Sequence, residues 1–306
     1  MSRTSTASSS PRSPRPPPGA PIPERRDEVR SALERLGVRP ARAWGQSFLV
    51  DPFVADAEAA LVATRPGEPV LEIGGGLGIL TRALVRRGYA PLSVIERDRR
   101  LAGFLRDAFG DRVRVLEGDA LAIELPPATC VVGNLPYSVA TPILLRCLAR
   151  RPSRLVALVQ REVADRLAAG PGSKTYGRLS LAARLYGEVE LFRTVPAEAF
   201  DPVPDVASRL VVHTARPGAL PVPSVPDFEA AVRTLFSSRR KQLGNLLPRV
   251  AGTAASAERL ARAAGWPVDW ARRRPEEIAP DGFFALARAL AIRPPGSADG
   301  RVHPQP

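Results

Sequence analysis

The chain has 306 residues, a formal net charge of +13 and a pI near 11.1. It is long enough for a substantial core, and its charge points to an anionic partner. Two cysteines, Cys130 and Cys147, and two histidines, His213 and His303, exclude a disulfide scaffold and give no basis for a structural metal site. No apolar run approaches the roughly 20 residues that span a bilayer, and no signal-peptide core is evident. These features predict a monomer of the reducing cytoplasm, with no membrane and no metal. All but two of the 44 basic residues are arginine, the lysines being Lys174 and Lys241. Biased base composition accounts for such a skew, and arginine also suits RNA because it stacks on bases and grips phosphates bidentately.

Residues 1–23 are rich in Ser, Pro, Arg and Thr. They carry too little apolar surface to offset ordering entropy, which predicts a disordered basic tail. The same acid-free start also resembles an organellar transit peptide, although its prolines oppose an amphipathic helix. From Glu24 the pattern changes, and residues 24–216 read as the main domain. A helix is predicted over 25–36, with Val29, Ala32, Leu33 and Leu36 on one face and Gly37 and Pro40 as its stop. A second helix is predicted over 52–63.

Continuous apolar runs at 69–73, 92–95, 112–116, 129–133 and 154–159 read as buried strands. Helical patterns at 79–87, 98–108, 140–150 and 161–169 lie between most of them, which predicts a doubly wound, Rossmann-like α/β sheet. A helix over 178–186 and strands over 188–195 and 208–214 complete it, with antiparallel strands at one edge. Pro217, Pro221, Pro223 and Pro226 then mark a linker. Beyond it, helices at 227–236, 239–250, 256–264 and 281–291 form a small all-helical C-terminal domain over 217–293, followed by a polar tail over 294–306.

The chemistry concentrates at the ends of the predicted strands. Val70–Ile73 runs into Gly74-Gly75-Gly76-Leu77-Gly78, where glycines allow a sharp turn and a close ligand approach. A tight strand-to-helix turn without a ligand is the alternative reading of that segment alone. Glu96 lies about 20 residues on, where an acid accepts from a ribose diol, and Asp119 ends the next strand. Together they outline an adenosine pocket. Asn134-Leu135-Pro136-Tyr137 adds an amide side chain, a backbone bend and an aromatic ring. Such a set grips an exocyclic amine and stacks on a planar base, as enzymes that modify an extruded base require. Gly45-Gln46-Ser47-Phe48-Leu49 reads only as a loop with a hydrophobic anchor.

These motifs, with Gln160–Leu167, Pro171–Ser180, Phe200–Pro204 and Arg239-Arg240-Lys241-Gln242, resemble the ribosomal RNA adenine N6-dimethyltransferases in their small-subunit (16S) branch. The resemblance covers roughly residues 40–250. It implies S-adenosyl-L-methionine as cofactor, bound by Ser47, Leu49, Gly74, Glu96, Asp119 and Asn134. It implies that Asn134 and the Leu135 carbonyl hold the target amine across the Pro136 bend, with Tyr137 and Phe200 sandwiching the base. The substrate implied is small-subunit ribosomal RNA in a pre-ribosomal particle, dimethylated at two adjacent adenosines near its 3′ end. Lys174, Arg178, Arg239, Arg240 and Lys241 are the expected RNA contacts, the last three at a helix start.

The chain departs from the family pattern with Ser47 for an asparagine, Ser138–Thr141 for Asn-Ile-Ser-Thr, and Ala207 for an aspartate. A large-subunit antibiotic-resistance methyltransferase is the first alternative, but it typically has isoleucine at the Leu135 position and lacks the Pro171–Arg178 run. A non-catalytic RNA-binding assembly factor is the second, and the intact Asn134–Tyr137 motif argues against it.

Overall fold

The computed structural model describes residues 21–40 and 47–291. Most of the expected N-terminal tail, Gly45 and Gln46 of the first motif, and the polar tail over 294–306 lie outside the described residues. Ile22 and Pro23, expected within the tail, are already engaged. Ile22 packs against the cluster of Leu33, Leu77, Leu101 and Phe104, and Pro23 is buried.

Helix α1 (Arg26–Arg35) buries Val29, Ala32 and Leu33, and Glu28 accepts from the Glu24 and Arg25 amides at its start. Next come β1 (Phe48–Leu49) and α2 (Pro52–Ala60), the latter capped by Asp51, which accepts from the Phe53 and Val54 amides. The alternating core follows as β2 (Val70–Ile73), α3 (Ile79–Arg86), β3 (Leu92–Glu96), α4 (Arg99–Phe109), β4 (Arg114–Glu117), β5 (Cys130–Asn134), α5 (Ala140–Ala149) and β6 (Arg154–Gln160). The chain continues through α6 (Arg161–Ala168), α7 (Arg178–Tyr186), β7 (Gly187–Val195), β8 (Phe200–Asp201) and β9 (Ser208–Ala215). Four helices end it: α8 (Val225–Leu235), α9 (Leu243–Ala251), α10 (Ala254–Ala263) and α11 (Pro280–Ala291).

Seven strands form one sheet in the order β4-β3-β2-β5-β6-β9-β7, with β4 through β6 all parallel. The continuous apolar runs are explained by β2 and β6, whose middles are buried on both faces. From β2 the chain winds outward through β3 and β4, then returns to β5 on the other side. The β2/β5 border is therefore the point where strand order reverses, and ligands of open α/β sheets bind at the carboxyl ends there. Gly74 and Asn134 sit at those two ends.

The chain forms two compact units. The first comprises the described residues up to Ile143 with Arg154–Gln160 and Arg193–Leu210; the second comprises Leu144–Ser153, Arg161–Phe192 and the described residues from Val211 onward. Cys130 and Cys147 are buried free thiols, as small core residues should be.

Two local features differ from expectation. Phe48 and Leu49 pair with Asp201 and Phe200 as a two-residue antiparallel ladder, too short to show any periodicity. The Arg239–Lys241 run precedes α9 instead of opening it, in the turn between a 3-10 segment (Phe236–Ser238) and the cap residue Gln242. The amide of Leu243 donates to the Arg273 carbonyl at 2.8 Å, which fixes where the helix begins.

Glu58 on α2 is fully buried, and neither carboxyl oxygen has a hydrogen-bond partner. Burial pushes its pKa up to about 8; the Gly133 amide opposes this without reaching bonding geometry. The folded state therefore keeps a proton that the unfolded chain releases near the ordinary value of 4.5. Stability falls as pH rises through that window. Glu58→Gln should stabilise the protein by about 3 kcal/mol at neutral pH, and the gain should shrink towards pH 4.5. Paired thermal melts at acid and neutral pH check this; a difference that does not grow with pH contradicts it.

Candidate active site

The first unit holds a cavity of about 220 Å³ at the carboxyl ends of β2, β3 and β5. Its wall begins at Gly74, whose φ of +82° turns the chain sharply out of β2. The Gly74 amide donates to the Ile95 carbonyl at 2.8 Å, tying the turn to β3. A Cβ at Gly74 would lie 3.5 Å from the Asn134 carbonyl oxygen, so the loop runs against the end of β5. Gly133 permits this closeness, because a Cβ there would fall 2.4 Å from the Ile73 carbonyl oxygen.

Glu96, at the end of β3, is 7% exposed. One carboxyl oxygen accepts from the Gly76 amide at 2.9 Å and the other from the Asp98 amide at 2.8 Å. Burial pushes its pKa up, and the two amides oppose that shift. Each oxygen keeps acceptor capacity for a hydroxyl in the cavity. Asp119 also lines the cavity; it accepts from the Leu121 amide at 2.8 Å and lies 3.7 Å from the Arg97 guanidinium. Leu77, Ile79, Leu80, Ile95 and Leu101 supply apolar walls. Acids that accept from a ribose and an amine, with apolar walls for a flat base, fit an adenosine-bearing ligand.

Asn134, Leu135, Pro136 and Tyr137 complete the lining. Leu135 donates its amide to the Leu158 carbonyl at 3.1 Å, which continues the β5–β6 ladder and holds the tetrapeptide in place. The Tyr137 hydroxyl hydrogen-bonds with the Ser208 hydroxyl at 2.7 Å. Asn134 and Tyr137 thus line the same cavity as Glu96 and Asp119.

Ser47 and Leu49 line the cavity too. Ser47 donates its hydroxyl to the Pro202 carbonyl, tying its segment to the loop after β8. Phe200 is placed differently from the reading as a base-stacking ring: it is fully buried, opposite Leu49 in the β1–β8 ladder, and does not line the cavity. The next residue explains its fixed position. Burial raises the Asp201 pKa, but Arg30 and Arg26, at 2.8 and 2.7 Å, more than offset this and hold it below the usual range.

Lys174, Arg178, Arg239, Arg240 and Lys241 are all exposed and belong to the second unit. Arg239 donates to the Tyr176 carbonyl at 2.7 Å, and buried Tyr176 packs edge-on against Phe236 and donates to the Ile278 carbonyl. The two basic stretches are thereby fastened together. His213 is buried in the same unit beside the Ala183 carbonyl, its pKa lowered by burial, and is no part of the cavity.

Sequence reasoning missed Ser208, Pro23 and Glu72. Pro23 and Glu72 line the cavity. Glu72 is fully buried, accepts from Thr81 at 2.7 Å and has one oxygen without a partner. Its place in Leu71-Glu72-Ile73-Gly74, two residues before the glycine run, was the available signal. No His/Cys/Asp/Glu cluster able to hold a metal and no helix long and apolar enough to cross a membrane occurs among the described residues.

Comparison with known proteins fits this arrangement. The family model for ribosomal RNA adenine dimethylases matches residues 39–262. The ribosomal RNA small subunit methyltransferase A of Anaeromyxobacter dehalogenans is 41% identical over 287 residues, covering 87% of this chain and 99% of its own. A dimethyladenosine transferase from Plasmodium falciparum shares the fold, with a TM-score of 0.65 at 23% identity over 78% of this chain and 95% of that one. The 23S rRNA methyltransferase ErmE has a TM-score of 0.61 at 26% identity, over 80% of this chain and 99% of its own. The chain belongs to the ribosomal RNA adenine dimethylase family.

Proposed function

We propose that the protein transfers methyl groups from S-adenosylmethionine to the N6 amines of adenosines in small-subunit (16S) ribosomal RNA, at two adjacent adenosines near the 3′ end of a pre-ribosomal particle. The observation that carries this reading is Asn134-Leu135-Pro136-Tyr137 lining one cavity with Gly74, Glu96 and Asp119. The small-subunit branch is favoured over the large-subunit one by 41% against 26% identity, and by Leu135 and the Pro171–Arg178 run.

Glu96 would hold the cofactor's ribose and Asp119 its adenine amine, with the Gly74–Gly76 backbone, Ser47 and Leu49 lining the rest of the pocket. Bound S-adenosylmethionine supplies an electrophilic sulfonium methyl. The Asn134 side-chain oxygen and the Leu135 carbonyl accept the two N6 hydrogens. That grip would draw the nitrogen lone pair out of conjugation with the ring and leave it exposed for alkylation. Tyr137 stacks on the base face and sets its plane. Rate enhancement then comes mainly from positioning, which is worth several kcal/mol when reactants are held in line. Residues 217–293, with Lys174, Arg178, Arg240 and Lys241, form the phosphate-contacting surface; Arg239 in addition braces the turn through Tyr176. The protein acts as a monomer in the cytoplasm.

Incubation with labelled S-adenosylmethionine and separated immature small- and large-subunit particles tests the reading. Label should appear as N6-methylated adenosine in small-subunit RNA; label confined to large-subunit RNA, or none in either, contradicts it. Two substitutions should separate the roles within the cavity. Asn134→Ala should lower methyl transfer by at least about a hundredfold while leaving RNA affinity near that of the parent, because phosphate contacts dominate binding. Glu96→Ala should weaken cofactor binding by about 1–3 kcal/mol in calorimetry without RNA, the scale of a lost hydrogen bond to a charged group. Parental turnover in the first or a parental dissociation constant in the second removes the assigned role.

A further inference from the structure

We infer that Ser208 is a positioning residue for the reaction: it fixes the plane of the Tyr137 ring on which the target base stacks, and so sets the orientation of the N6 amine. The inference rests on the function proposed above. It starts from a contact between two residues 71 apart in sequence, the Tyr137 and Ser208 hydroxyl oxygens, 2.7 Å from each other.

Tyr137 follows β5 by three residues, just beyond the bend at Pro136, and lines the cavity. A tyrosine held only at its Cα can rotate about χ1 and, more loosely, about χ2. Half-burial restricts such motion without choosing a ring plane. The hydroxyl is the atom farthest from the backbone, so a bond there pins the opposite end of the ring. Ser208 is suited to this role because it is fully buried and opens β9, whose backbone belongs to the main sheet. Water cannot compete for a serine that is out of its reach, and in a low-dielectric site the bond keeps its strength and direction. Burial also pushes the Tyr137 pKa up, so the phenol stays neutral across the physiological range.

The consequence is chemical. Asn134 and Tyr137 line the same cavity and must act on one base together. The amide accepts from the amine at the edge of the base, and the ring sets the tilt of that base. A misplacement of about 1 Å costs on the order of a hundredfold in rate when reactants must be aligned. Holding the ring before the base arrives also removes an ordering cost at binding. Removing either hydroxyl leaves the stacking face intact but frees its tilt.

A double-mutant cycle on the full chain tests this, using single-turnover methyl transfer to immature small-subunit particles at saturating cofactor, with cofactor affinity measured separately by calorimetry. Ser208→Ala and Tyr137→Phe should each slow methyl transfer by about tenfold or more and leave the cofactor dissociation constant unchanged. The double variant should be no slower than either single one, because both remove the same bond. Ser208→Thr, which keeps a hydroxyl, should recover most of the rate.

A Ser208→Ala protein that methylates at the parental rate overturns the inference. So do additive losses in the double variant, or a parallel loss of cofactor affinity, which would mark Ser208 as part of the general packing. If Ser208→Ala does not fold, Tyr137→Phe decides alone, since it keeps the ring and loses only the oxygen; a parental rate there is contradictory. A parent chain that fails to methylate the particles overturns the function itself and the inference with it, a result distinct from failure of the variants alone.

Discussion

A Cβ on residue 133 would fall 2.4 Å from the carbonyl oxygen of Ile73, a distance no real side chain tolerates, and the site depends on the closeness that glycine permits there. It lets the end of β5 lie against the end of β2 where the chain turns out of the sheet. That turn is Gly74, in the left-handed region, and it brings the glycine loop to the Asn134 backbone. The glycine loop and the Asn134–Tyr137 tetrapeptide, assigned by the proposed function to the cofactor and the target amine, are thus built from two adjacent strand ends. Parallel pairing of β5 with both β2 and β6 supplies the rigidity, and the bond from Leu135 to Leu158 extends it one residue past Asn134.

Charge is arranged in opposite senses inside and outside. The sequence carries a net charge of +13, yet Glu58, Glu72 and Glu96 are all buried close to the cavity in the first unit. Burial raises the pKa of each, and Glu58 and Glu96 each push that of Glu72 further up. Carboxyls so placed reduce stability at neutral pH, a cost that proteins accept mainly around functional sites. The exposed arginines and lysines of the second unit carry the opposite charge, and under the proposed function they meet the phosphates of the RNA.

Much of this was legible in the sequence, for identifiable reasons. Strands buried on both faces give continuous apolar runs, so β2, β3, β5 and β6 could be placed within a residue or two. The glycine loop, Glu96, Asp119 and Asn134 lie at or within two residues of the ends of their strands, and a parallel sheet brings strand ends together without further information. What was hidden depended on contacts between distant segments. The β1–β8 ladder has two residues per strand and no pattern to detect. Nothing in the spacing of Tyr137 and Ser208 suggests that their hydroxyls meet. Phe200 matched a motif, but its burial is decided by Asp201 and the two arginines of α1, a clamp spanning about 170 residues. Glu58 carries no signal of burial in its sequence neighbourhood, and only the packed structure shows it sealed from water.

The close approach of β5 to β2 is the claim on which the rest stands, and Gly133→Ala tests it most directly. The added methyl must push the strand ends apart at the β2/β5 border while leaving the outer strands and the helical segments untouched. Cofactor titration of that variant by calorimetry, on protein whose far-ultraviolet circular dichroism matches the parent, should show binding weakened by at least about tenfold, because the glycine loop moves with Ile73. Cofactor binding equal to that of the parent would show that the glycine loop does not depend on the Gly133 contact, and would contradict the account.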